Sequence, residues 1–286
     1  MTIKYFDLHC DTAGKAFDNG MGLYANSLCV DLKRMDMFDS PQAFFAVWVT
    51  KEEHPKPFER ACGIINFIKE ENRGALIYPA IEGDLDNIYR LKEMGVRLFT
   101  VAWNDKNELA SGVLADGGLT TLGKRAVCEL EQANIVVDVS HLNEDGFSDV
   151  CNTAKCAFIA SHSNAYNICE NPRNLKDWQI KAISERGGLI GLNIYSDFVA
   201  ENAKISDVLR HAGYIMELTK SDNCVAIGTD FDGMERSVKG MEDITGMKTF
   251  AEELTKSFGI ETAEKILWKN ATGFFNFCHP ERSEGS

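Results

Sequence analysis

The sequence alternates regularly between short apolar runs and longer segments with the 3.6-residue period of amphipathic helices. Eight runs have the length of a strand, and several are apolar almost throughout, as strands buried on both faces of a parallel sheet must be. They cover residues 4–10, 43–50, 75–81, 96–103, 135–140, 157–161, 188–194 and 224–228. A helical or loop-plus-helical segment follows each run. We therefore predict an α/β fold of the (β/α)8, or TIM-barrel, type.

Three of the intervening segments carry clear helical spacing. Their apolar positions are Phe58, Ala61, Cys62, Ile65 and Ile68, then Leu122, Ala126, Val127 and Leu130, and then Val208, Leu209, Ala212, Ile215 and Met216. An open doubly wound sheet is the alternative, but no Gly-x-Gly-x-x-Gly motif follows the first strand. No linker-like segment divides the chain, so we predict one domain over residues 1–278 and a disordered tail over the polar residues 279–286.

The charge balance excludes several classes of partner. Lysine and arginine number 30 against 43 aspartates and glutamates, which gives a formal net charge of −13. Such a surface repels phosphate backbones and anionic lipids, so we expect neither a nucleic-acid nor a membrane partner. No run approaches the ~18 apolar residues of a membrane span, and the N-terminus has no apolar signal region. We therefore expect a cytoplasmic protein.

Six side chains that can bind a metal ion fall at the carboxyl ends of predicted strands. His9 closes the first strand, and Asp11 projects to the same side of that extended segment. The others are Glu82 after the third strand, His141 after the fifth, His162 after the sixth and Asp230 after the eighth. In a barrel these ends converge at one mouth, where catalytic groups lie. Three imidazoles and three carboxylates there suit Zn²⁺ or a similar divalent ion, and they suffice for two ions that share a carboxylate.

Each of these residues also has a structural interpretation when it is taken alone. A histidine at a strand end is more often a hydrogen-bonded packing residue than a ligand, and an acidic residue after a strand is usually a helix N-cap. Five of the eight predicted strand ends carry a metal-competent residue, and this coincidence favours a metal cluster. His54, His211 and His279 lie in a loop, on a helix face and in the tail, and we assign them no role.

Further polar residues would face the same mouth. Arg173 lies in the loop after the sixth strand and could hold a carboxylate with two hydrogen bonds. A surface arginine that caps a helix is an equally good interpretation. Asn193 and Tyr195 end the seventh strand, where they could contact a substrate or serve the structure.

Taken together, the motifs around these residues resemble the membrane (renal) dipeptidase family. They are Phe6-Asp-Leu-His-Cys-Asp-Thr12, Ile81-Glu-Gly83, Asp138-Val-Ser-His141, Ser161-His-Ser-Asn164, Pro172-Arg-Asn174 and Gly228-Thr-Asp-Phe-Asp-Gly233, in colinear order over nearly the whole chain. The resemblance implies a metal-dependent hydrolase barrel of the amidohydrolase type with a binuclear zinc centre that hydrolyses dipeptides. Substrates with a C-terminal D-residue and a homodimeric state are further expectations.

The resemblance also implies the ligand set of the two zinc ions. His9 and Asp11 would bind one Zn²⁺, and His141 and His162 would bind the other. Glu82 would bridge the two ions.

The remaining roles that the resemblance implies concern the substrate and the proton. Asp230 would hold the water shared by the two metals and shuttle its proton to the leaving amine. Arg173 would bind the C-terminal carboxylate of the dipeptide, and Tyr195 would line the pocket. Asn193 is a candidate to contact substrate because of its position at the end of the seventh strand, and the resemblance gives it no role.

One residue departs from the family pattern. At the end of the fourth strand, family members often carry a histidine that donates to the oxyanion, whereas the run here is Thr100-Val-Ala-Trp-Asn104, with Trp103 in that place. An indole N–H can donate to substrate, but its reach differs, and loss of one oxyanion donor costs ~10²–10³ in turnover. Another metal-dependent hydrolase on the same barrel, such as a deaminase, lactonase or phosphoesterase, is therefore the alternative. A metal-binding barrel without activity is the third hypothesis.

Overall fold

The sheet of this protein is parallel throughout. The computed structural model describes residues 3–49, 56–70, 75–77 and 81–278, and within them the strands are β1 (Lys4–Cys10), β2 (Asp39–Val47), β3 (Ala75–Ile77), β4 (Leu98–Thr100), β5 (Val136–Asp138), β6 (Ile190–Leu192) and β7 (Val225–Ile227). Their order across the sheet is β5-β4-β3-β2-β1-β7-β6. Every pair of neighbours runs in parallel, as crossover connections through helices require.

Residues Ile159 and Ala160 close this sheet into a barrel. Ile159 bridges to Asp138 of β5, and Ala160 bridges to Ile190 of β6, both in parallel. The backbone N–H of Ile159 donates to the carbonyl of Val137 at 3.0 Å, which continues the ladder of β5. The predicted sixth strand, residues 157–161, is therefore present as two bridges, and it completes a ring of eight parallel segments. The prediction of a (β/α)8 barrel is confirmed.

Several strands are shorter than the apolar runs that predicted them. β4, β5, β6 and β7 have three residues each, because the chain turns as it reaches the mouth of the barrel. His141 and Asp230, which follow β5 and β7, have left-handed backbone angles with φ of 72° and 65°. An apolar run in the sequence indicates which residues are buried. It does not indicate where the hydrogen bonding between neighbouring strands ends. Residue 50, residues 78–80 and the predicted tail 279–286 lie outside the described residues.

Helices follow the strands as predicted. They are α1 (Thr12–Asp18), α2 (Leu32–Met35), α3 (Pro57–Glu70), α4 (Asp86–Glu93), α5 (Thr121–Gln132), α6 (Glu144–Thr153), α7 (Asp177–Glu185), α8 (Ser196–Val199), α9 (Ile205–Thr219), α10 (Met247–Phe258), α11 (Ile260–Glu264) and α12 (Asn270–Cys278), with a π-helical turn at Lys265–Lys269 and a 3₁₀ turn at Ile244–Gly246. The three segments with clear helical spacing are α3, α5 and α9. Thr120 begins α5 by accepting a hydrogen bond from the Gly123 N–H at 3.0 Å.

Two apolar clusters hold the barrel together. Alternation along β2 separates them: Phe45 and Val47 belong to the larger cluster, which contains the helix faces, while Phe44 and Ala46 belong to the smaller one. The smaller cluster therefore fills the interior of the barrel, where α12 contributes Phe275. Over the described part of the chain, none of the helices combines the length and the apolar character needed to cross a bilayer.

Candidate metal centre and substrate cavity

Five of the six predicted ligand and catalytic residues meet at the carboxyl ends of the strands. His9 Nε2 lies 3.1 Å from Asp11 Oδ2 and 3.6 Å from Asp230 Oδ1. The rings of His9 and His162 stack with centroids 3.9 Å apart, and His162 Nε2 lies 2.9 Å from His141 Nε2. Ligand atoms of His9, His162 and Asp230 all lie within 4.8 Å of one another. The barrel thus gathers residues from both halves of the chain into one buried cluster.

Glu82 stands apart from this cluster. Its side chain is exposed, and it does not belong to the group whose ligand atoms lie within 4.8 Å of one another in the described residues. Glu82 follows residues 78–80, which lie outside the described residues. Its role as a bridging carboxylate stays a prediction.

Three of the predicted site residues have a left-handed backbone. Positive φ is uncommon outside glycine, and it concentrates at functional sites. His141, Asp230 and Glu82 have φ of 72°, 65° and 53°. The turn at Asp230 is held by its own N–H, which donates to the His9 carbonyl at 3.0 Å. The backbone therefore leaves the ladder at the residues whose side chains were predicted to face the mouth.

Hydrogen bonds at the far ring nitrogens orient two of the imidazoles. Asn104 Oδ1 lies 2.8 Å from His141 Nδ1, and because a carbonyl oxygen only accepts, Nδ1 carries the proton. Ser161 Oγ donates to Asp138 Oδ2 at 2.6 Å, so it accepts from His162 Nδ1, 2.7 Å away. Both imidazoles consequently present the Nε2 lone pair to the cluster. Such second contacts fix the tautomer of a metal-binding histidine.

The pKa values of His141 and His162 favour the neutral imidazoles that these hydrogen bonds require. Burial, followed by the positive charge of Arg173 and His9, lowers the pKa of His141 well below its ordinary value. Burial and then His9 lower the pKa of His162 in the same way. Burial also disfavours the charged form of His9, but the carboxyl groups of Asp11, Asp230 and Asp138 together outweigh it and raise the pKa. His141 and His162 are therefore neutral, and neutral imidazole is the form that ligates metals.

Asp230 is a buried carboxyl group that other side chains hold in place. Burial raises its pKa to about 6, with the neighbouring charges of His9 and Asp11 acting in opposite directions. Asn193 Nδ2 donates to Asp230 Oδ2 at 3.0 Å, while Oδ1 faces His9. A methyl group on Gly233 would overlap Asp230 Oδ1 and Asp11 Oδ2, so glycine leaves the space in which the two carboxyl groups lie.

The donor set fits a divalent metal. The Nε2 atoms of two neutral imidazoles lie 2.9 Å apart, so their lone pairs repel unless a cation beside them accepts both. The carboxyl groups of Asp11 and Asp230 adjoin them within the same cluster. Nitrogen and carboxylate oxygen are the ligands that zinc and related ions take in catalytic sites.

A narrow backbone contact positions His162. The carbonyl oxygen of Ser161 lies between Gly191 and Gly228, and a Cβ atom on either glycine would overlap it. The N–H of Ser163 then donates to the Gly191 carbonyl at 2.7 Å. Larger residues at these two positions would push the segment 159–163 out of the barrel wall and displace His162 with it.

Beside the cluster lies a cavity of about 390 Å³ that contains the predicted carboxylate-binding residue. His141, Arg173, Tyr166 and Ser163 are among its lining residues. Arg173 is buried, its Nη2 donates to the His162 carbonyl at 3.4 Å, and its guanidinium lies 5.5 Å from the ring of Phe198. Arg173 is therefore not a surface arginine, and its positive charge lies directly next to the histidine cluster.

The other predicted substrate residues occupy different positions. Asn193 is fully buried, and its amide is engaged with Asp230 and with the Tyr195 N–H, 2.6 Å from Asn193 Oδ1. It therefore orients Asp230. Tyr195 is partly buried and packs edge-on against Phe198 at 4.7 Å. Trp103 is 41% exposed, and its ring centroid lies 6.1 Å from that of His141.

Sequence reasoning missed the residues that support the ligands. Asn104 and Ser161 hold the imidazoles of His141 and His162, and Asp138 accepts hydrogen bonds from Ser161 and from Thr100, the latter at 2.7 Å. A usable signal was present for two of them, since Ser161 directly precedes His162 and Asp138 ends β5, which His141 follows. Asn104 carried no such signal, because β4 holds none of the predicted ligands. Trp48, one residue beyond β2, lies edge-on to Trp103 at 5.4 Å and was also missed.

Comparison with known proteins agrees with this architecture. A region that is 31% identical over 204 residues occurs in an uncharacterised protein in the pqqA 5′ region of Klebsiella pneumoniae, covering 66% of this chain and 74% of that protein. In three further curated relatives, all named as dipeptidases, the matched region makes up 39%, 43% and 42% of their length.

Two crystal structures share the fold over almost their full length. The dipeptidase AC, a metallo peptidase of family M19, superposes with a TM-score of 0.88 at 24% identity and covers 96% of this chain and 98% of its own. A metallo peptidase from Rhodobacter sphaeroides, liganded with a phosphinate mimic of the dipeptide L-Ala-D-Ala, gives a TM-score of 0.86 at 23% identity over 96% and 99% of the two chains. At these identities the two structures establish the fold.

The sequence profile of one family settles the assignment. It matches residues 73–276, which is most of the chain. The match includes Arg173 and four of the six candidate ligand and catalytic residues, and it begins after His9 and Asp11. The chain belongs to the membrane dipeptidase family, peptidase family M19, a family of metal-dependent hydrolases of the peptide bond.

Proposed function

We propose that this protein is a zinc-dependent dipeptidase whose active site is the histidine and carboxylate cluster at the mouth of the barrel. The observation that carries the proposal is the pair of neutral, buried imidazoles of His141 and His162, whose Nε2 atoms lie 2.9 Å apart next to two carboxyl groups. The adjoining cavity, with the buried cation Arg173, supplies a place for a short anionic substrate.

Two zinc ions per chain are part of this proposal. His9 and Asp11 would hold one ion, His141 and His162 the other, and Glu82 would bridge them. When bound, the ions supply Lewis acidity that polarises the scissile carbonyl and makes a water nucleophilic near neutral pH.

Asp230 is the residue that we propose to move the proton. Asn193 holds its Oδ2 atom, so Oδ1 remains directed at the cluster, 3.6 Å from His9 Nε2. Asp230 would accept a proton as the water oxygen bonds to the carbonyl carbon, and would give it to the amide nitrogen as the C–N bond breaks. The products are then two free amino acids, and the carboxylate is regenerated.

Arg173 sets the length of the substrate in this proposal. A guanidinium can bind a free C-terminal carboxylate with two hydrogen bonds. Because Arg173 lies directly next to the histidine cluster, a carboxylate bound there would belong to the residue that follows the scissile bond. Tyr195 would line the pocket through its packing on Phe198, which the Arg173 guanidinium also approaches. Because a structural relative binds a mimic of L-Ala-D-Ala, dipeptides with a C-terminal D-residue are proposed substrates as well.

The test is hydrolysis of a dipeptide panel by protein that has been stripped of metal and reloaded with zinc. The panel pairs each L,L-dipeptide with its L,D counterpart, and a sample kept in chelator is the control. Zinc-dependent release of free amino acids supports the proposal. Two bound zinc ions without release from any dipeptide would contradict it.

Trp103 favours a second candidate function. An exposed indole stands beside His141. The family resemblance implies a histidine that donates to the oxyanion at this place, so tryptophan there would suit a different scissile bond. The candidate is a metal-dependent hydrolase of a cyclic amide, lactone or phosphoester, or a deaminase. Turnover of one of these, with none of dipeptides, would select it.

A cytoplasmic location and a homodimeric state complete the proposal. The eight cysteines whose side chains the structure describes form no disulfide with one another, which is usual in a reducing compartment. Cell fractionation and light scattering of the purified protein test the two points separately.

A further inference from the structure

Two tryptophans form an aromatic surface at the mouth of the barrel. Trp48 directly follows β2, and Trp103 follows β4 by three residues. Their ring centroids lie 5.4 Å apart at 67°, which is the edge-to-face arrangement that aromatic pairs prefer. Trp103 also lies 6.1 Å from the His141 ring. We call Trp48 and Trp103 the tryptophan pair.

One tryptophan of the pair packs against the interior of the barrel, and the other is exposed to solvent. Trp48 is partly buried and packs against the apolar cluster that fills the barrel, so its ring is held in position. Trp103 keeps 41% of its surface exposed although it stands beside a buried histidine. An exposed aromatic surface at the edge of a polar cluster is the usual appearance of a ligand-binding wall.

The pair and Arg173 lie on different sides of the cluster. Around the barrel, β2 is four positions from the segment 159–160, so Trp48 and the loop that carries Arg173 come from opposite walls. His141 lines the Arg173 cavity, whereas neither tryptophan is among the described residues that line it. His141 therefore separates a cationic cavity from an aromatic surface.

We propose that the tryptophan pair is the subsite for the side chain of the N-terminal residue, and that it selects large apolar or aromatic side chains there. The inference rests on the proposed dipeptidase function. With the C-terminal carboxylate at Arg173 and the scissile carbonyl at the cluster, the N-terminal residue extends away from Arg173. An extended residue spans about 3.3–3.6 Å, so its side chain reaches the next wall of the mouth, which is the one that carries the tryptophans.

A different role for Trp103 makes a separable prediction. If its indole N–H donated to the oxyanion, losing the N–H would slow every substrate by the same factor. An aromatic wall instead changes the ratio between substrates. Trp103→Phe keeps the ring and removes the donor, while Trp103→Ala removes both.

The experiment measures kcat/KM for Phe-Ala and Gly-Ala with the zinc-loaded protein, and its readout is their ratio. In the unsubstituted protein we expect Phe-Ala to be preferred by about 10-fold or more, the range that apolar pockets achieve. Trp103→Ala should lower the ratio by about 10-fold and Trp103→Phe by much less. Trp48→Phe, which conserves the buried packing, should lower it by an intermediate factor. Trp178→Ala is the matched control, because Trp178 is also 41% exposed but packs on Phe147 of α6.

The outcomes separate this inference from the function on which it rests. A Phe-Ala to Gly-Ala ratio near one, or a ratio that Trp103→Ala leaves unchanged, would overturn the subsite while leaving the dipeptidase in place. Absence of turnover for every dipeptide would overturn both. A selective loss for Phe-Ala in the Trp103 and Trp48 variants, with the Trp178 variant unchanged, supports the subsite.

Discussion

Asn104 Oδ1 accepts a hydrogen bond from Nδ1 of His141 at 2.8 Å. The amide in the loop after β4 therefore determines which nitrogen the histidine after β5 presents to the cluster. Asn104→Leu removes this acceptor at similar volume and lets His141 change tautomer or rotate. We expect zinc affinity to fall by about 10–100-fold, the usual cost of losing such a partner. Competition with a fluorescent chelator measures it.

The control for this change is Asn19→Leu, at the exposed C-terminal end of α1, where the amide donates to the Lys15 carbonyl at 2.7 Å. It should bind zinc as the unsubstituted protein does. Equal zinc affinity in the Asn104 and Asn19 variants would show that the amide does not orient His141.

Gly233 leaves room for the carboxyl groups of Asp11 and Asp230 because it has no side chain. A methyl group there would overlap Asp11 Oδ2 and Asp230 Oδ1, and the ends of two side chains can move aside where backbone could not. We therefore expect Gly233→Ala to fold with a melting temperature within a few degrees of the original. Zinc-dependent turnover should fall by at least about 10²-fold, because small displacements of catalytic groups cost that much.

Gly22→Ala is the comparison for that variant, since a Cβ atom there meets nothing within 4 Å and its φ is not positive. Differential scanning calorimetry and dipeptide turnover are measured on both proteins. Full activity in Gly233→Ala would mean that the two carboxyl groups need no fixed position.

A substitution of Asp230 should lower turnover without loss of zinc, whereas a substitution of a metal ligand should lower both. Asp230→Asn keeps the shape of the side chain and an oxygen that can accept the hydrogen bond from Asn193. Its neutral amide cannot take up and release the proton. We expect kcat to fall by about 10²–10⁴-fold, the contribution of a positioned acid–base group, while bound zinc stays near two ions per chain. Metal analysis by mass spectrometry measures the zinc content, and steady-state kinetics measure kcat. A loss of zinc equal to that of a His162→Ala variant would make Asp230 a ligand instead.

Arg173 should discriminate between a dipeptide and its C-terminal amide. The unsubstituted protein should prefer the free carboxylate strongly, because a guanidinium forms paired, charge-assisted hydrogen bonds with a carboxylate and not with a neutral amide. In Arg173→Lys the point charge remains but the paired hydrogen bonds do not, so KM for the dipeptide should rise by about 10-fold or more. Arg173→Ala should abolish the preference. An unchanged preference in Arg173→Ala would remove the residue from substrate recognition.

Part of this architecture could be predicted from the order of residue types. Runs such as 135–140 and 224–228 predicted strands buried on both faces, and the placement of His9, His141 and Asp230 at their ends predicted the cluster. Both predictions depend only on the period of a strand and on the convergence of strand ends in a barrel. Neither requires knowing the exact length of a strand.

The supporting contacts could not be predicted in this way. That Asn104 orients His141, or that Asn193 holds Asp230, depends on distances between loops, which spacing does not determine. The left-handed backbone at His141 is equally invisible, because its sequence carries no glycine there. For the same reason the sequence left Asn193 open between a substrate contact and a structural role, and the structure shows its amide engaged with Asp230 and the Tyr195 N–H.

His211 is a buried histidine outside the metal centre, and it should make stability depend on pH. Its Nδ1 accepts from the Ala165 N–H at 3.1 Å, and its Nε2 lies 3.0 Å from the Val199 carbonyl, so the neutral ring satisfies both. Burial lowers the pKa of His211 in the folded state. Below the ordinary pKa of about 6.5, His211 is protonated in the unfolded chain but stays neutral in the folded protein. Acidification therefore favours unfolding.

The free energy of unfolding should therefore fall as pH decreases from 7 to 5. His211 contributes at most about 1.4 kcal/mol per pH unit to this slope, the value for one proton. His211→Gln, whose amide can still donate to the Val199 carbonyl, should be less stable at pH 7 but should have a shallower slope by up to that amount. Urea unfolding at several pH values on the metal-free proteins gives the two slopes. The three histidines of the cluster are the same in both proteins, so they cancel in the difference. Two parallel slopes would mean that His211 titrates alike in the folded and unfolded states.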